Sequence, residues 1–178
     1  MSIVDSEQNT LTGDVLLRVE ELVIEYKNRR GGVVRAVAGV SFDINKGETV
    51  AVVGESGCGK STLAKGVMQL VETKMGRVVL DGVELSSLKG EQLRQVRPKI
   101  QMIFQDSVAS LDPHMTVREL VEQPMKVWHK GDADDRRGKV DELLRSVNLD
   151  PEVVGNRKPT EFSGGQCQRV SIARALSL

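Results

Sequence analysis

Between Val33 and Ile44 the chain alternates. Val40, Phe42 and Ile44 stand against Gly39, Ser41 and Asp43, the period of two that a strand with one buried face requires. Leu16 to Tyr26 reads as a partner strand, and Lys27-Asn28-Arg29-Arg30-Gly31-Gly32 between them as a turn-rich hairpin loop. The run Thr49-Val50-Ala51-Val52-Val53 carries apolar side chains on both faces and predicts a strand buried on both sides, as in a parallel sheet. After a glycine-rich loop, Leu63, Val67, Leu70 and Val71 fall at i, i+4, i+7 and i+8, one stripe of a helix. Gly76 ends that region, and Val78 to Val83 predicts a short strand or hairpin around Asp81-Gly82. Gly90 to Arg97 is polar and predicted helical up to Pro98, which cannot continue the ladder. Ile100-Gln101-Met102-Ile103-Phe104 is a further strand candidate. Beyond Gln105 the alternation stops. Val140, Leu143, Leu144 and Val147 predict at least one amphipathic helix within 107–160. A last helix is expected from about Gly165 onward, and Met1 to Gly13 is polar and expected to be a mobile tail.

Composition narrows the class. At 178 residues, 39% hydrophobic and 28% charged, the chain suits one soluble globular domain with a small subdomain. Aromatics are only 3%, so the core must rest on Val, Leu, Ile, Ala and Met. Lys plus Arg and Asp plus Glu are 25 each, which gives no electrostatic reason to expect a nucleic-acid partner. No apolar run approaches the ~18 residues of a membrane span. The N-terminus has neither a basic nor an apolar leader region, so secretion is not expected. Two distant cysteines, Cys58 and Cys167, exclude a disulfide scaffold and point to a reducing compartment.

The chemistry starts at Gly54-Glu55-Ser56-Gly57-Cys58-Gly59-Lys60-Ser61-Thr62, which fits G-x-x-x-x-G-K-[ST] between a strand and a helix. Glycines at 54, 57 and 59 let successive N–H groups turn inward toward phosphate oxygens. The helix starting near Lys60 adds the positive end of its dipole. Lys60 supplies a full charge for the β- and γ-phosphates, and the Ser61 hydroxyl is placed for Mg²⁺, a hard cation that takes oxygen ligands. Cys58 reads as a small residue fitting a tight loop. Trp128 and Met125 read as packing residues, and Arg94, Arg97, Lys99 and the mixed run Asp132 to Arg137 as solvated surface.

Phe162-Ser163-Gly164-Gly165-Gln166 precedes the last helix. A phosphate loop, a segment ending in Gln105, a helical insert and Ser-Gly-Gly-Gln opening a helix, in that order, resemble the ATP-binding subunit of an ABC transporter. The resemblance covers roughly residues 15 to 178. Phe162 stands where the family usually has Leu. Ser56 to Ser61, Phe104-Gln105-Asp106-Ser107 and Ser110-Leu111-Asp112-Pro113 are most similar to the oligopeptide and dipeptide importer subclass.

The resemblance implies an α/β fold: a P-loop NTPase core with a mixed sheet over 14–106 and 166–178, and a helical subdomain over 107–165. It implies ATP and Mg²⁺ as ligands. Tyr26 takes the place of the aromatic that stacks on adenine, against a plain reading as a strand core residue. Gln105 matches the glutamine that senses the metal and the attacking water, so Lys60 and Gln105 stand as catalytic groups and Ser61 and Gln105 at the metal. Ser163, Gly164, Gly165 and Gln166 match the groups that close over a nucleotide held by a second ATP-binding subunit. A head-to-tail dimer, permease subunits and a peripheral place on the cytoplasmic membrane face follow from the same likeness.

The family continues with an apolar strand ending in Asp-Glu (the Walker B strand) and a later histidine. No Asp or Glu follows Glu161, and His114 and His129 both precede Ser163. The sequence is therefore expected to be a subunit truncated before that strand. It should have an incomplete sheet and very poor ATP turnover on its own, because the water-positioning group is absent. Two other readings stay open: a nucleotide-binding module without hydrolysis, and a P-loop NTPase outside transport.

Overall fold

The computed structural model describes residues 2–4, 15–27 and 31–178. The rest of the expected tail and positions 28–30 of the expected hairpin loop lie outside the described residues. The chain forms two compact units, Met1–Val96 and Arg97–Leu178.

In the first unit, β1 (Ser2–Val4) pairs with β4 (Ala51–Val53). A four-stranded sheet has the order β3-β2-β5-β6, with β2 Val15–Lys27, β3 Val33–Asn45, β5 Met75–Leu80 and β6 Val83–Glu84. Every ladder among the described residues is antiparallel. Strand β2 buries Leu17 and Val19, then Leu22 and Ile24. The change of parity would turn the second pair to solvent in a regular strand. A register shift between Val19 and Leu22 corrects it, with Glu21 at φ 45°, as a bulge does. Gly76 faces this bulge at φ 87°, where a Cβ would stand 2.4 Å from the Glu20 carbonyl oxygen. The Asp81-Gly82 turn, with both φ positive, closes the predicted β5–β6 hairpin.

Helix α1 (Lys60–Val67) buries Leu63, Gly66 and Val67. At Gly66 a Cβ would lie 2.3 Å from Ile24 Cδ1, so the missing side chain is what lets the helix lie close on β2. The predicted stripe is cut short. Gln69 turns left-handed at φ 51°, Leu70 N–H donates to the Lys65 carbonyl in the manner of a Schellman stop, and Leu70 is left exposed. Helix α2 (Gly90–Val96) stops ahead of Pro98 as expected.

Three expectations are corrected. Ser2–Val4 is a strand rather than tail, because β4 offers it a ladder edge. Thr49 to Val53 is not buried on both faces: β4 is three residues long, its described partner is antiparallel, and Val53 is 55% exposed. Ile100 to Phe104 forms no strand, since no described strand pairs with it, and Ile103 and Phe104 are exposed.

The second unit is helical: α3 Val117–Val127, α4 Ala133–Ser146, α5 Pro151–Val154 and α6 Gly164–Ala175. Val121, Met125, Leu144, Cys167, Val170 and Ala173 belong to one core drawn from α3, α4 and α6. The predicted stripe Val140, Leu143 and Leu144 is buried there, with Val147 packed beside it. The division at Val96/Arg97 differs from the sequence-based one. Helix α6 packs with the helical unit because its apolar face, Cys167, Val170 and Ala173, completes that core.

Candidate nucleotide site and signature loop

The phosphate loop belongs to the first unit. Gly57 and Gly59 have φ 82° and 99°, the left-handed region that favours glycine. A Cβ on Gly59 would stand 2.1 Å from the Ala36 carbonyl oxygen, so this position is closed to any side chain. Cys58 N–H donates to the Glu55 carbonyl, which tightens the turn. Lys60 Nζ folds back into the loop, donating to the Gly54 and Glu55 carbonyls at 2.7 and 2.6 Å, with Cys58 Sγ at 3.6 Å. The ammonium thus lies inside the ring of backbone that the motif forms. Helix α1 starts with no side-chain cap and no acidic residue in its first turn. Its first amides and its dipole therefore favour an anion, with no carboxylate to compete. Ser61 is exposed in that first turn.

Tyr26 is 43% exposed near the end of β2, opposite Val34. It lines a shallow pocket with Val33, Thr73 and Lys74. It is half-exposed and not a core residue.

Gln105 and the signature residues belong to the second unit. Asp106 Oδ1 accepts from Ala109 N–H at 2.9 Å, which shapes the turn after Gln105. A cleft of about 510 Å³ is lined by Gln105, Asp106, Ser107, Val108, Gly164 and Gln168, so the two motifs share one concavity. Ser163 caps α6: its Oγ accepts from Gln166 N–H at 3.3 Å, and its own N–H donates to Gln166 Oε1 at 3.0 Å, a capping box. Gly164 and Gly165 are exposed, and nothing lies within 4 Å of a Cβ built on either. Phe162 packs against the helical core and carries the Arg157 guanidinium 4.8 Å over its ring.

Ionisable groups in this unit are held by local partners. Hydrogen bonds from Thr116 keep the Glu119 carboxyl below its ordinary 4.5, and the Lys158 backbone N–H does the same for Glu161. Burial pushes Glu122 up, yet Lys126 and Arg136 together bring it below the ordinary value. Burial pushes the Cys167 thiol up, as suits a packing residue. His114 and His129 are exposed. Among the described residues no cluster of three or more His, Cys, Asp or Glu could hold a metal. Sequence reasoning gave no role to Ser110, Ser171 or Arg174. Ser171 and Arg174 meet Ser110 from 61 and 64 positions away, and no local pattern signals such a meeting.

A glycine-built anion cradle ahead of a helix, and a capped Ser-Gly-Gly-Gln turn ahead of another, define a P-loop ATPase cassette. Residues 37–178 match the ABC transporter family, and the chain belongs to it. It is 43% identical over 173 residues to the oligopeptide transport ATP-binding protein OppF of Salmonella typhimurium, covering 92% of this chain and 52% of that protein. It is 48% identical over 151 residues to AppF of Bacillus subtilis, another oligopeptide transport ATP-binding protein, covering 84% of this chain and 46% of AppF. The glutathione import ATP-binding protein GsiA of Pectobacterium atrosepticum is 46% identical over 169 residues, which cover 92% of this chain and 27% of GsiA. The chain spans about half the length of the first two relatives. Among solved structures, a dimeric bacterial ABC transporter cassette, MJ0796, superposes with a TM-score of 0.83 at 33% identity, covering 91% of this chain and 69% of that one. A second structure of that cassette is a dimeric post-hydrolysis state bound to ADP and Pi, with a TM-score of 0.82 at 33% identity and the same coverage. The expected fold class, a P-loop cassette core with a helical subdomain, is thereby established.

Proposed function

We propose that the chain binds Mg-ATP in the 54–62 loop and works as the nucleotide-binding part of an importer, with peptides as the transported solute. The observation that carries this reading is the loop itself: two left-handed glycines, the Lys60 ammonium folded inside them, and an uncapped α1. A triphosphate offers what those amides and that ammonium complement. Mg²⁺ suits the donor set, because it keeps waters and needs few protein oxygens. Ser61 would supply the hydroxyl, and the metal would neutralise phosphate charge. Tyr26 would stack on the base, and Lys60 and Gln105 would each carry the role in hydrolysis, and Gln105 the role at the metal, that the family resemblance implies.

Peptide import rests on the likeness to OppF and AppF. A second subunit is proposed as the partner of Ser163 to Gln166, supported by the exposed glycines of that turn and by the dimeric cassette neighbours. Permease subunits complete the assembly, which would hold the chain peripherally at the cytoplasmic membrane face. Among the described residues no helix is long and apolar enough to cross a membrane.

Titration calorimetry with Mg-ATP tests the reading. Lys60→Ala should weaken affinity by about 10- to 100-fold, the value of one charge-assisted contact. Unchanged affinity in a folded variant would overturn it. A phosphate-release assay beside the titration separates binding from hydrolysis.

A further inference from the structure

Three buried hydroxyls in the second unit, those of Ser107, Ser171 and Ser177, need partners. Ser107 is 6% exposed and Ser171 8%, and a hydroxyl removed from water is costly unless bonded. Their bonds trace one line. Ser107 Oγ donates to the Phe104 carbonyl at 3.4 Å, and Ser110 Oγ donates to the Ser107 carbonyl at 2.8 Å. Ser110 Oγ also lies 3.4 Å from Ser171 Oγ, and Arg174 Nη1 donates to the Ser110 carbonyl at 3.0 Å. Ser171 and Arg174 are three positions apart on α6 and so share a face. Ser177 Oγ in turn donates to the Arg174 carbonyl at 2.7 Å.

The geometry points to Arg174 as a positioning residue: with Ser171 it fastens the turn that follows Gln105 to the helix that begins at the signature. This rests on the reading of Gln105 and Ser163 to Gln166 as nucleotide-responsive groups. Arg174 touches neither motif and acts through the Ser110 carbonyl. Its bond carries a full charge and outweighs a neutral one. The fastened segments also line one cleft, so whatever orders one motif orders the other, and the coupling runs equally in both directions.

Amide hydrogen exchange on the full chain tests this. Arg174→Leu should speed exchange in 105–111 and in 164–168 together, by about tenfold, while the α3 and α4 amides keep their rates. Arg174→Lys should restore both segments, since one ammonium reaches one carbonyl. Ser171→Ala should loosen the same two segments by about threefold, and it carries the test should Arg174→Leu fail to fold. A response in one segment without the other, equal acceleration throughout the helical unit, or no rescue by lysine would each overturn the assignment. Added Mg-ATP supplies the second arm, with protection of 54–62 as its control. Loss of that control would sink the nucleotide reading and leave the ligand-free exchange result standing.

Discussion

The turns that open α1 and α6 are both glycine-rich, and they solve the same problem in opposite ways. Every helix start exposes amides that need acceptors. At α6 the chain supplies its own: Ser163 and Gln166 bond each other reciprocally. At α1 no side chain caps the start, although Thr116, Asp132 and Asp150 do so for α3, α4 and α5. A cap contributes about 1 kcal/mol, so α1 forgoes stability that α3, α4, α5 and α6 take. The first turn leaves its amides to an outside anion under the proposed function. The second is a finished surface whose glycines let another molecule approach the backbone.

The comparison can be broken most sharply at Gly59. Gly59→Ala forces a Cβ toward the Ala36 carbonyl at a strained φ. Mg-ATP affinity should fall by more than about 100-fold, or about 2.7 kcal/mol, as read by labelled-ATP binding. On the other turn, Ser163→Ala should lower stability by about 1 kcal/mol in urea unfolding, while Ser163→Asn should keep most of it.

A third test uses acid. Glu119, Glu122 and Glu161 have folded values below 4.5. Their contribution is complete above 4.5 and fades as pH falls through those depressed values. The helical unit should lose stability in that window, as circular dichroism in urea would show. The Ser163–Gln166 box carries no charge and should not respond. Gln166→Glu makes it responsive. The box survives with a change of less than about 0.5 kcal/mol near neutral pH, since either residue completes it, and an acid-dependent loss appears.

What the sequence made legible follows from range. The phosphate loop and the signature are contiguous: left-handed glycines at 57 and 59 shape the first backbone, and the Ser163–Gln166 capping box shapes the second. The β2–β3 pair and the Asp81-Gly82 hairpin were readable for the same reason. Ile100 to Phe104 forms no strand, because an apolar run states what a strand would bury, not whether a neighbour exists to pair with it. Helix α3 went unnamed although Val117, Leu120, Val121 and Met125 are all buried at helical spacing, because Pro124 interrupts the pattern and argues against a helix. Arg118 pairing with Asp141, like Arg174 reaching Ser110, depends on helices meeting in space, which no local window contains.

Gly66 has a consequence that reaches back to the cradle. It is the notch that lets α1 sit flush on Ile24, and the resting height of α1 sets where the amide fan at its head is aimed. A methyl group added six residues downstream of Lys60 would prise up the rear of the helix and tilt its mouth. A genetic screen for lost ATP binding should therefore return this inconspicuous glycine alongside the lysine, as a lever rather than a ligand.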